Sequence, residues 1–190
     1  MTTNYTEGQT FKGEDFTEKG LPTGTYENCR FIQCLFSNTN LSGIKFLQCE
    51  FNDCDLSLAK LQKTAFQEAR FKQCKLLGLR FEECHPFLLS FQFEGCLLNL
   101  SSFYQLQLKG AHFKDCQLEE VDFGEAGLTK AVFDQCNLAN AQFDNTILEQ
   151  ADFRTAFNFS IDPEKNRIQG AKFSVHGLAG LLEKYHIVVE

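Results

Sequence analysis

Large apolar side chains recur along this chain every five residues. From Phe11 the series runs through Phe16, Leu21, Tyr26, Phe31, Phe36, Leu41, Phe46, Phe51, Leu56, Leu61, Phe66, Phe71, Leu76 and Phe81, fifteen positions occupied only by Phe, Leu or Tyr. After a slip of two residues it resumes at Phe93 and continues through Leu98, Phe103, Leu108, Phe113, Leu118, Phe123, Leu128, Phe133, Leu138, Phe143 and Leu148 to Phe153. Neither a helix of period 3.6 nor a strand of period 2.0 holds every fifth residue on one side over such a length. The backbone must therefore turn a corner at each repeat. A second inward column stands two residues before the first and holds small residues, among them Ala59, Ala69, Ala111, Ala126, Ala131, Ala141, Ala151 and Ala156. One large and one small side chain per five residues fill a narrow interior, and the other three positions face water. The pattern predicts a solenoid of square cross-section, an all-β architecture found by looking for internal repeats first.

The slip, residues 82–92, passes through Cys84-His85-Pro86-Phe87-Leu88-Leu89-Ser90-Phe91-Gln92. Proline restricts the residue before it and cannot donate to a ladder, so the segment reads as a bulge joining two stacked halves. A binding loop is the alternative, disfavoured by the apolar Phe87, Leu88, Leu89 and Phe91. Residues 1–10 read as a loosely held leader, residues 11–173 as the repeat and residues 174–190 as a cap. Asp162 and Pro163 open a capped turn. Leu178, Leu181, Leu182 and Tyr185 then lie at i, i+3, i+4 and i+7, one apolar face of a short α-helix, and Ile187-Val188-Val189 reads as a terminal strand. That face is large for so short a cap, so these seven residues are expected to join two copies of the chain, pairing like ends in a closed homodimer.

The composition removes several classes of function. With 43% apolar and 23% charged residues the 190-residue chain is not disordered. It begins without a basic, apolar leader and contains no 18-residue apolar run, which argues for a cytoplasmic protein without a membrane span. A net charge of −7 disfavours direct nucleic-acid binding. Nine cysteines and four histidines raise the question of a metal or redox site. Cys29, Cys34, Cys49, Cys54, Cys74, Cys84, Cys96, Cys116 and Cys136 all occupy the small inward column or its continuation, where a thiol is a compact hydrophobe. No CxxC pair, ligand spacing, nucleophile motif or phosphate loop is present. The expectation is no metal, no cofactor and no catalysis.

Charge is unevenly placed. Residues 1–84 carry 11 acids and 10 bases, whereas residues 85–190 carry 14 and 8. Within 115–152 stand Asp115, Glu119, Glu120, Asp122, Glu125, Asp134, Asp144, Glu149 and Asp152, with Lys130 the sole base. A zone of one sign attracts basic surfaces and steers association, and it also keeps an aromatic-rich rod in solution.

Segments such as Ala151-Asp152-Phe153-Arg154-Thr155 and Cys136-Asn137-Leu138-Ala139-Asn140 resemble the Ala-(Asp/Asn)-Leu-X-X signature of the pentapeptide repeat family. That resemblance implies a right-handed quadrilateral β-helix with four repeats per coil. The ending Asp162-Pro163-Glu164-Lys165-Asn166-Arg167-Ile168, followed by a Leu-rich cap, is similar to that of the gyrase-acting group: the Qnr-type and MfpA-type quinolone-resistance proteins and the microcin immunity protein. The likeness is nearer to members without projecting loops, because the repeat here runs unbroken on both sides of the slip. It implies a dimeric mimic of duplex DNA that occupies the basic DNA saddle of DNA gyrase or topoisomerase IV and modulates the enzyme or protects it from quinolones or peptide toxins. The competing implication is an interaction scaffold with an unrelated partner.

Overall fold

The computed structural model describes residues 4–87 and 89–187. Every ladder in it is parallel. The first side of the rod is a nine-stranded sheet built, in spatial order, from β2 (Thr10–Lys12), β4 (Arg30–Ile32), β6 (Glu50–Asn52), β8 (Ala69–Lys72), β9 (Phe91–Glu94), β10 (His112–Lys114), β11 (Val132–Asp134), β12 (Asp152–Phe153) and β13 (Lys172–Phe173). The fourth side carries β1 (Asn4–Glu7), β3 (Gly24–Glu27), β5 (Lys45–Leu47) and β7 (Ala65–Gln67). Single bridges continue that side from Gln107 through Gly127 and Ile147 to Arg167 and also make up the second and third sides. Phe11 pairs with Phe31, Phe31 with Phe51 and Phe113 with Phe133, so one coil is 20 residues. Nine rungs at a strand spacing of ~4.8 Å make a rod of roughly 38 Å. Residues 4–7, expected as part of a loose leader, instead form the first strand, paired through Tyr5 with Thr25 and Thr6 with Tyr26.

The inward columns pack as the five-residue period requires. Along the first side the phenyl rings stack, with Phe113 and Phe133 5.1 Å apart and 1° from parallel. Across the interior, rings meet edge to face, as Phe103 does with Phe113 at 5.8 Å and 82°. Each fully buried ring contributes on the order of 1.5–3 kcal/mol. The corners are β-turns closed by bonds such as Ala126 N–H to the Phe123 carbonyl, 3.1 Å. A type II turn needs a positive φ at its third residue, and the residue two beyond the large one supplies it: Asn38 (φ 58°), Glu125 (φ 55°) and Asn140 (φ 57°) are examples. Polar members of the small column hold coil to coil. Thr64 Oγ1 donates to the Leu41 carbonyl at 2.8 Å and Thr146 Oγ1 to the Phe123 carbonyl at 2.8 Å.

The slip is a joint. Phe71 pairs with Phe93, so the coil there is longer by the two extra residues. A 3-10 turn, Phe81–Glu83, leads into it. Phe91 is buried in the small column, its ring centroid 5.7 Å from Phe66 and 5.1 Å from Phe81. It occupies the level at which the aromatic column passes from the fourth side (Tyr26, Phe46, Phe66) to the third (Phe81, Phe103, Phe123). Leu89 is half-buried against the core, but Phe87 is 65% exposed, although its apolar character argued against an exposed loop. Leu88 lies outside the described residues.

At the other end the cap is helical but winds as two 3-10 segments, Val175–Leu181 and Glu183–Tyr185. Ser174 Oγ accepts from Gly177 N–H at 3.1 Å. Gly177 and Gly180 both face Phe159, and a Cβ on Gly180 would strike the Phe159 carbonyl. Three residues apart, Gly177 and Gly180 are one full turn of the 3-10 helix from each other and stand in line against that ring. Lys184 Nζ ties the cap to Asp162 at 2.7 Å and Glu164 at 2.8 Å. Asp162 does form the expected capped turn, its Oδ1 accepting from Glu164 N–H at 2.9 Å.

Candidate functional site

All nine acids of the 115–152 zone sit at outward positions, and none is buried. Consecutive repeats occupy different sides, so the structure spreads them round the rod instead of gathering them on one face. Asp115, Asp134 and Asp152 lie on the first side or its edge, Glu119 and Glu120 on the second, Asp122, Glu125 and Asp144 on the third, and Glu149 on the fourth.

Pairing sorts them further. Asp152 binds Arg154 at 2.7 Å, Glu149 binds Arg167 at 2.5 Å and Asp144 meets Lys165 at 3.8 Å. The Arg154 guanidinium holds the Asp152 carboxyl below the usual carboxylate range. Glu125 accepts from Gln105 Nε2 at 2.8 Å and Tyr104 Oη at 2.7 Å, bonds that lower its pKa while raising that of the tyrosine. Asp115, Glu119, Glu120, Asp122, Glu125 and Asp134 have no ion pair among the described residues. They are the uncompensated part of the zone. On the first side from Arg30 to Lys114, by contrast, charges alternate up the ladder: Arg30 and Arg70 flank Glu50 at 3.3 and 3.6 Å, and Lys72 and Lys114 flank Glu94 at 3.6 and 3.2 Å. Such exposed pairs stabilise little, but they cancel the local field.

The nine cysteines are free and buried. Six of them, Cys34, Cys54, Cys74, Cys96, Cys116 and Cys136, stand one above another inside the second side. They do more than fill space. Cys54 Sγ donates to the Phe31 carbonyl at 3.3 Å and Cys74 Sγ to the Phe51 carbonyl at 3.3 Å, the weak counterpart of the threonine bonds. Burial pushes the Cys49 thiol up to about 12 and raises that of Cys84 as well. His112 is exposed on β10, and among the described residues no three metal-ligating side chains converge. Where the fourth-side ladder breaks, a shallow cleft of about 380 Å³ opens between Arg70, Leu89, Gln107 and His112.

At the C-terminal end Leu181 packs against the core and Leu182 is half-buried, while Leu178, Tyr185 and Ile187 are exposed. Val188 and Val189, the rest of the expected strand, lie outside the described residues.

Residues 25–91 and 87–157 match the family model described as Pentapeptide repeat region. The chain belongs to the pentapeptide repeat family. Among solved members of similar shape is a trypsin-treated form of QnrB1, a plasmid-mediated fluoroquinolone resistance protein, 20% identical over 98% of this chain and 92% of its own, with a TM-score of 0.56. Another pentapeptide repeat protein, HetL from the cyanobacterium Nostoc sp. strain PCC 7120, involved in heterocyst differentiation regulation, is 17% identical over 90% of this chain and 87% of its own, with a TM-score of 0.47. No curated protein matches the sequence. In this pentapeptide repeat rod no helix of the described residues is long and apolar enough to cross a membrane.

Proposed function

We propose that this pentapeptide repeat protein is a non-catalytic binding rod that mimics the charge of duplex DNA and occupies the basic DNA saddle of DNA gyrase or a related type II topoisomerase. The carrying observation is the belt of six uncompensated acids, Asp115, Glu119, Glu120, Asp122, Glu125 and Asp134, spread over three sides of the C-terminal half of the rod. Duplex DNA is charged on every side, and acids on three sides of the rod come nearer to that property than a single acidic face does. QnrB1, of the same fold, is a fluoroquinolone resistance protein. The ending from Asp162 to Ile168 is the second feature shared with the gyrase-acting group.

A supercoiling assay with purified gyrase, with and without a fluoroquinolone, tests the reading. Inhibition or protection is expected at micromolar protein. Glu119→Lys with Glu120→Lys and Asp122→Lys should weaken the effect at least about tenfold, because charge complementarity sets association, while exposed positions leave folding within about 0.5 kcal/mol per change. Neither inhibition nor protection would remove the topoisomerase and leave an interaction scaffold.

The rod doubles through its C-terminal cap in this reading. Leu178, Tyr185 and Ile187 offer an exposed apolar surface beside Leu181 and Leu182, and two-fold pairing of like ends closes it. Light scattering should give twice the 21.7 kDa chain mass at tens of micromolar. The Leu181→Glu, Leu182→Glu variant should be monomeric or aggregated, and a wild-type monomer at that concentration sinks the pairing.

A further inference from the structure

Two leucines break the rule that the corners otherwise obey. Every described non-glycine residue with a left-handed backbone is Asn, Gln, Asp, Glu, Lys or His, except Leu58 (φ 57°) and Leu100 (φ 61°). A branched apolar side chain is costly in that conformation, and here it gains no burial: Leu58 is 59% and Leu100 63% exposed. Backbone and solvent both oppose leucine at these two positions, so local folding does not account for it.

The two occupy one corner column, each two residues beyond the large residue of the second side, Leu56 or Leu98. Gly78 stands between them on the intervening coil. Its missing side chain is what connects them, because a Cβ at Gly78 would lie 2.8 Å from Leu58 Cδ2. Leu58 thus reaches across the glycine toward Leu100. Leu77, half-buried, joins the patch through the bond from Leu58 N–H to its carbonyl at 2.9 Å, and the exposed Leu97 borders it. On the next coil the patch ends at unpaired acids: Leu100 N–H donates to the Glu119 carbonyl at 3.0 Å, and Glu120 follows in the corner column.

We propose that this corner of the rod docks an amphipathic α-helix of a protein partner, lying along the rod axis with its basic end over Glu119 and Glu120. Leu58 and Leu100 are two rungs apart, about 9.6 Å at the strand spacing. That is close to the ~10.5 Å between residues i and i+7 of a helix, so an apolar i, i+3, i+4, i+7 stripe lies over the leucines. Glu120 is a rung further, about 14.4 Å from Leu58, level with position i+10 at ~15 Å. Charge decides the occupant's direction, and a lysine or arginine there meets an acid without an ion partner of its own. Exposed apolar patches rimmed by charge mark protein interaction sites. The proposal does not rest on a topoisomerase as partner.

The probe is a fluorescein-labelled synthetic helical peptide with Leu at i, i+3, i+4 and i+7 and Lys at i+10 and i+11, titrated with the full chain in an anisotropy measurement. Saturable binding in the range of about 10–100 µM is expected, weakened at least about tenfold by Leu58→Asn with Leu100→Asn. Asparagine suits the left-handed corner, so Tm should stay within about 2 °C or rise. A Lys→Glu peptide should bind more weakly, and added salt should strengthen its binding instead of weakening it. Absence of saturable binding, or equal binding by the double variant, overturns the proposal. A large drop in Tm shows instead that the leucines serve the fold. A dimer that dissolves in the double variant assigns the patch to a second copy of the chain.

Discussion

Phe113→Ala is expected to destabilise the rod by about 3–5 kcal/mol, the range for emptying an aromatic site in a core that cannot collapse. Phe113 is fully buried, stacked between Phe93 at 5.3 Å and Phe133 at 5.1 Å and met edge-on by Phe103 at 5.8 Å and Phe123 at 5.9 Å. Its rung is hydrogen-bonded to the rungs above and below, so neither can move in to fill the void. In a quasi-one-dimensional array each coil meets only its neighbours, and a weak rung in the middle uncouples the two ends. Urea denaturation of the variant should therefore show a lower midpoint and a broadened or two-step transition. Phe113→Leu, which keeps most of the volume, should lose roughly 1.5 kcal/mol or less. A Phe113→Ala loss below about 1 kcal/mol would mean that the interior relaxes as these ladders do not allow.

Asn166→Ala should cost about 2–4 kcal/mol, with the damage confined to the C-terminal coils. Asn166 occupies the small column, where its neighbours are mostly alanine, cysteine or threonine, and its buried amide makes three bonds. Nδ2 donates to the Phe143 carbonyl at 2.6 Å and the Asp162 carbonyl at 3.0 Å, and Oδ1 accepts from Thr146 N–H at 2.9 Å. Alanine leaves these buried groups without that partner, at about 1–3 kcal/mol for each one orphaned. The amide is also the fastening between the last coil and the turn at Asp162 that Lys184 holds against the cap. Hydrogen exchange should show Thr146, Arg167 and Lys172 amides losing protection while those of β4, β6 and β8 keep theirs. Uniform loss along the rod, or none, contradicts this local role.

The cap itself stands on charge as well as on the fit of Gly180. Hydrogen bonding to Lys184 lowers the pKa of both Asp162 and Glu164. The sign follows directly: a carboxylate depressed in the folded state contributes above its unfolded pKa and loses that contribution as pH falls through the folded one. Acid therefore weakens this end of the rod, through the half-buried Asp162 more than through the exposed Glu164.

Sequence alone determined the square solenoid, its two inward columns and the position of the joint, while the 20-residue coil was what the resemblance to the pentapeptide repeat family implied. The reason is repetition: the same local choice of large, small and outward residues is made at every corner, so exceptions do not alter the period. It also determined that the thiols are buried, since their positions fall in a column that the period places inside. The tertiary structure alone decided which distant residues become neighbours. Arg154 and Arg167 neutralise Asp152 and Glu149, and Lys165 approaches Asp144, which turns a run of nine acids into a belt of six. Phe91 turns inward while Phe87 does not, because the two extra residues must be absorbed on the one side where the ladder breaks. The cap winds as 3-10 with its glycines set against Phe159, where apolar spacing predicts an α-helix. The corner column was legible in principle, as a row of Asn, Gln, Asp and Gly two beyond each large residue. Only stacking the coils puts Leu58, Gly78 and Leu100 in one line, because contact along a solenoid follows the rung and not the chain.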